Sequence, residues 1–133
     1  MENKKIKWLI YTVLVGFIPI LSRLLVWLVT TNGIDLFAAS DFVAFGLVLH
    51  ISNINEIEHY TRDRSWKTAQ NGISIAFIAF YSVLFALTIL GGNNSSIDIG
   101  TTKICAMILA LVSFAISYSV YDRLSKVSIE EMK

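Results

Sequence analysis

Four long apolar stretches separated by short polar joints dominate this chain, and segments of that kind have few ways to fold. A helix rising about 1.5 Å per residue needs about 20 apolar residues to cross some 30 Å of hydrocarbon. Residues 8–31 meet that length, interrupted only by Pro19 and Arg23. Residues 72–91 form a second such run with no charged side chain, and residues 102–121 a third with Lys103 at its edge. Between them, residues 41–59 start as a lipid-like run at Phe42 and turn polar before Ile57. The expectation is an all-α, four-helix transmembrane bundle forming one integral membrane domain over residues 1–133. Asn32 and Gly33 supply a turn after the first run, and Gly91, Gly92, Asn93 and Asn94 another after the third.

Composition agrees. The chain is 55% hydrophobic and 16% charged, against about 45–50% and about 25% in soluble domains. A net charge of +1 leaves no basic footprint for direct nucleic-acid contact. The lone Cys105 cannot close an intramolecular disulfide and carries no redox signal. Lys4, Lys5 and Lys7 resemble the start of a signal peptide, but the run after them is too long and no small-residue cleavage site follows. The first run therefore reads as a retained membrane anchor.

Basic residues set the direction. Lys4, Lys5 and Lys7 precede the first span; Arg62, Arg64 and Lys67 lie between the second and third; Arg123, Lys126 and Lys133 follow the fourth. The other two connections carry Asp35 and Asp98, with only Lys103 nearby. If the spans alternate, all three clusters share one side, which the positive-inside rule makes cytoplasmic for both termini. Trp8, Trp27, Trp66, Tyr60 and Tyr121 fall near span ends, where aromatic rings favour the headgroup layer.

Two features break the apolar pattern. Arg23 lies about fifteen residues past Trp8, beyond the midplane of the first span. An arginine there costs about 2.5–3.5 kcal/mol on insertion scales unless paired, cavity-facing or snorkelling. Asp35 and Asp41 are its candidate partners, and the three residues form a candidate sensing or gating group. The second feature is the polar half of the second span, where His50 falls near mid-membrane with Ser52, Asn53, Asn55 and Glu56 behind it. Buried amides need partners, so this helix is expected to be enclosed by its neighbours, with His50, Asn53, Asn55 and Glu56 as candidate transmitting residues.

Enzyme chemistry is not expected. Glu56 and His59 form a Glu-x-x-His pair, but a di-metal bundle needs a second pair and further glutamates, so no metal, cofactor or catalytic set is assigned. A proton relay needs a chain of titratable groups, and the third span offers none. Small-residue stripes, Ala106, Ala110, Ser113 and Ser117 in the fourth span and Ser82 and Ala86 in the third, read as helix-packing faces, with an oligomer interface as the alternative. The inner loop with Tyr60, Arg62, Asp63, Arg64, Trp66 and Lys67, together with Arg123 and Lys126 in the tail, suits docking of a soluble partner or anionic headgroups.

The run over residues 40–56, from Ser40 and Asp41 through Phe45, Gly46, His50, Asn53 and Asn55 to Glu56, within a short four-span chain, resembles KwaA, the membrane subunit of the bacterial Kiwa antiphage defence system. The resemblance covers one span in residues and the whole chain in layout. It implies a homo-oligomer in the bacterial inner membrane that detects disturbance of the envelope and works with a cytoplasmic DNA-binding effector subunit. The expected function is thus a non-catalytic sensor or scaffold subunit that recruits such an effector. The alternative is a small oligomeric pore or transporter.

Overall fold

A computed structural model of the chain describes residues 4–131 apart from 32 and 34, with side chains placed within residues 6–126. Helix α1 (Lys4–Trp8) runs through a π-helical turn (Leu9–Val13) straight into α2 (Leu14–Val29), so the three make one continuous rod. Helices α3 (Ala39–Glu58), α4 (Arg64–Gly91) and α5 (Ile99–Glu131) complete the chain, and no strand occurs among the described residues. Pro19 sits inside α2 without ending it.

Three helical stretches are long and apolar enough to cross a membrane: Ile6–Val29, Arg64–Gly91 and Ile99–Lys126. This is a membrane protein. Helix α3 does not reach the same apolar content, because its second half carries His50, Ser52, Asn53, Asn55 and Glu56. It nevertheless takes the fourth place in the bundle, as expected, because its neighbours surround it.

Two boundaries differ from the apolar runs, each for a local reason. Helix α4 begins at Arg64 rather than at residue 72, because Asp63 caps it by accepting the Trp66 backbone N–H at 3.2 Å. Arg64, Trp66 and Lys67 are therefore its first turn, and only residues 59–63 are a connection. Asp63 adopts φ 50, a left-handed conformation that aspartate tolerates better than most residues. Helix α5 continues past Tyr121 to Glu131, so much of the expected tail is helix. Lys133 lies outside the described residues.

Contacts establish the alternation. Trp8 of α1 stacks on Tyr121 of α5, with ring centroids 5.2 Å apart, and Asp63 pairs with Arg123 at 2.9 Å. The start of the rod, the α3–α4 turn and the late part of α5 thus share one end of the bundle. Arg23 and Asp41 meet towards the other end. Helix α3 is the central element, packing on α2, α4 and α5, while the rod makes no packing contact with α4 among the described residues.

Packing follows side-chain size. A Cβ placed on Gly46 would overlap the Tyr81 ring, so the α3–α4 approach requires glycine there. The stripe Ala106, Ala110, Ser113 and Ser117 on α5 is buried. Ser82 and Ala86 on α4 are instead exposed, because α4 turns Ser74, Tyr81 and Leu84 inward. Leu25, Val29 and Leu111 are 63%, 75% and 72% exposed, an outer face suited to hydrocarbon.

Candidate functional site

The polar residues of α3 meet hydroxyl groups from its neighbours in a buried seam. His50 Nε2 lies 2.8 Å from Ser113 Oγ and its Nδ1 lies 3.2 Å from Ser74 Oγ. The Tyr81 hydroxyl lies 2.7 Å from Ser113 Oγ, and Phe77 stacks on the imidazole at 4.8 Å. About one turn along α3, Asn53 Nδ2 donates to Ser117 Oγ at 2.9 Å. His50, Asn53, Ser74, Tyr81, Ser113 and Ser117 are all buried. The spacing explains the register: residues three apart on α3 face residues four apart on α5.

Below the seam is a second polar junction. The Ser52 hydroxyl lies 2.6 Å from the Tyr121 hydroxyl and 3.3 Å from Thr12 Oγ1, and Tyr121 also donates to the Ser52 carbonyl at 3.2 Å. Thr12 belongs to the π-helical turn, so the widened turn is where the rod meets α3 and α5. Trp8 closes this end, packed against Phe114, Tyr118 and Tyr121.

A neutral imidazole donates through one nitrogen and accepts through the other. The chain Ser74–His50–Ser113–Tyr81 can therefore run in either direction with its heavy atoms fixed. Chemically, the arrangement orients dipoles and ties three helices together. Ser113 and His50 are within the reach of a nucleophile and its base, but both are fully buried and Ser113 also engages Tyr81. Among the described residues, no group of three or more His, Cys, Asp and Glu side chains is arranged to hold a metal.

The candidates read from sequence separate into three places. Arg23 Nε donates to Asp41 Oδ2 at 2.5 Å, with side chains 33% and 13% exposed, while Asp35 lies exposed in the connection before α3. His50 and Asn53 lie in the seam, Glu56 is half-buried beside the Thr12–Tyr121 junction, and Asn55 faces outward. At the far end, Tyr60 packs edge-on to Trp66 at 5.2 Å, and the Arg123 guanidinium lies 4.4 Å from the centre of the Trp66 ring. Lys67 Nζ donates to the Glu58 carbonyl at 3.0 Å, Lys126 pairs with Asp122 at 3.2 Å, and Arg62 and Arg64 are exposed.

Sequence reasoning did not find Thr12, Ser74, Tyr81 or Tyr121 as members of these clusters. Ser113 and Ser117 were visible as a small-residue stripe, and their hydroxyls are what His50 and Asn53 require. Ser74 and Tyr81 lie seven apart on α4, a two-turn spacing that marks one face but does not say which helix it meets. Compared with known protein families, curated proteins and solved structures, the chain matches none.

Proposed function

We propose that this protein is a non-catalytic sensor or scaffold subunit of a bacterial inner membrane, with both termini cytoplasmic. It would act as a homo-oligomer in antiphage defence and recruit a cytoplasmic DNA-binding effector. The observation that carries the reading is the position of α3. Its first turn holds Asp41 against Arg23, its middle holds the seam, and it ends at the turn locked onto α5 by Asp63 and Arg123. A disturbance at the Arg23–Asp41 pair has one rigid helix through which to reach the Tyr60–Lys67 face. The defence role and the DNA-binding partner rest on the resemblance of residues 40–56.

The test is affinity purification of the full chain in mild detergent from cells that carry its neighbouring genes. A stoichiometric soluble partner, lost when Arg62, Arg64 and Lys67 are replaced by glutamine, is expected. Purification of the chain alone as an ion-conducting oligomer in liposomes would sink the reading and favour a pore or small transporter. The buried run of hydroxyls around His50 is the observation that favours this second reading.

A further inference from the structure

The turn between α3 and α4 forms a cleft with a polar, cationic lining. Tyr60, Thr61, Arg64, Lys67, Thr68 and Asn71 surround about 470 Å³. Two of these residues are cations and three more carry hydroxyls. The nearest acid in sequence, Asp63, already caps α4 and pairs with Arg123, so its charge is matched outside the cleft. Glu58 enters only as the carbonyl that holds Lys67, which leaves two N–H groups of that ammonium for another acceptor.

Depth selects the ligand. The apolar run of α4 begins at residue 72, so at about 1.5 Å per residue Lys67 and Arg64 stand roughly 7 and 12 Å outside it. The headgroup layer occupies about 5–8 Å on each side of the hydrocarbon, within reach of both side chains. Tyr60 and Trp66, packed together beside the cleft, are the aromatic pair expected at that level. A phosphodiester monoanion offers acceptor oxygens and no donor, the complement of a guanidinium, an ammonium and hydroxyls. We infer that this cleft binds the phosphate of an anionic phospholipid headgroup, with Arg64 and Lys67 as the charged ligands and Thr68 as a hydroxyl ligand. This assignment rests on the membrane character of the chain and not on its role in defence.

The experiment is native mass spectrometry of the purified full chain in detergent, titrated separately with phosphatidylglycerol, phosphatidylcholine and inorganic phosphate. Phosphatidylglycerol should be retained in preference to phosphatidylcholine. Arg64→Gln should weaken that preference about fivefold, and Arg64→Gln with Lys67→Gln by about 25-fold, as expected for the loss of one or two interfacial cations. Thr68→Val should weaken it without changing charge, which keeps the test decisive if the Lys67 variant fails to fold. Lys7→Gln, a charge at the same end but outside the cleft, should leave the preference unchanged. Equal retention of both lipids, or an equal loss from Lys7→Gln, would overturn the site in favour of diffuse attraction. Inorganic phosphate that binds through Arg64 and is not displaced by phosphatidylglycerol would overturn the lipid as its source.

Discussion

Helices α3 and α4 lie side by side, yet α3 and the later half of α4 satisfy their polar side chains in opposite ways. On α3, His50, Ser52 and Asn53 bond across to other helices. On the outer part of α4, Ser82 donates to the carbonyl of Ile78 and Thr88 to that of Leu84, within the same helix. The first helix belongs in the bilayer only while its neighbours are present. The later half of the second needs only its own backbone and lipid at Ser82 and Thr88, while its Ser74 and Tyr81 join the seam. In hydrocarbon, apolar burial gives helices little reason to associate, so close packing and interhelical hydrogen bonds must hold α3 in place.

The substitution expected to break this arrangement most severely is Gly46→Val. Its side chain would occupy the space of the Tyr81 ring and push α4 away from the seam. A destabilisation of about 3 kcal/mol or more is expected, read as a lowered midpoint in detergent unfolding. Tyr81→Ala in the same chain should recover part of that loss, because it removes the clash. Next comes His50→Leu, which fits the volume but removes the imidazole partner of both Ser74 and Ser113, leaving Ser113 with Tyr81 alone. Interhelical hydrogen bonds in membranes average well under 2 kcal/mol apiece, so a total loss of about 2 kcal/mol is expected. Ser82→Ala on α4 should change the same midpoint by less than about 0.5 kcal/mol. Equal effects at His50 and Ser82 would show that the seam is not what holds α3.

The two ion pairs sharpen the contrast at the ends of the bundle. Arg23–Asp41 has side chains 33% and 13% exposed, whereas Asp63–Arg123 has 43% and 44%. A double-mutant cycle with Arg23→Leu and Asp41→Leu should give a coupling of about 1–2 kcal/mol, since either single change leaves a charge facing a poorly solvated site. Arg123→Gln removes a well-wetted pair and a cation–π contact. It should cost under about 1 kcal/mol and weaken further in effect as salt is added. A coupling at Arg23–Asp41 no larger than this would mean that lipid or water, not Asp41, accommodates the arginine.

Much of this was legible in the residues themselves. Apolar length exposes α2, α4 and α5, because a lipid-facing helix must display its solvent in its own composition. Arg23 was legible as a charge needing a partner, and Asp41 as one of two candidates, but choosing between Asp41 and Asp35 required the placement of α3 beside α2. The amides of α3 showed that neighbours must enclose it, without showing which. Ser74 and Tyr81 stayed hidden because a serine in an apolar helix can bond its own backbone, as Ser82 does, or reach across. Only the rotation of α4 decides. The start of α4 was misread for a related reason: apolar content marks where lipid begins, whereas Asp63 marks where the helix begins.

The smallest expected effect tests whether a polar group that serves only its own helix stays local when disturbed. Asp98 accepts the Thr101 backbone N–H at 3.2 Å and the Thr101 hydroxyl at 2.9 Å, which caps α5. The hydroxyl and then the backbone N–H of Thr101 hold this carboxyl below its ordinary value of 3.8, and the group is fully exposed. Because the folded form is the more acidic one, the cap is at full strength above that value and fades as pH falls below it towards the lower folded value. Amide protection at Thr101 and Thr102, corrected for intrinsic exchange, should therefore hold steady above the ordinary value and decline below it. Asp98→Asn should remove this dependence while leaving the unfolding midpoint of the bundle near neutral pH where it was. If Asp98→Asn instead lowers that midpoint as far as His50→Leu does, polar groups on the helix surface matter as much as the seam. The contrast between self-sufficient helix surfaces and the dependent α3 would then fail.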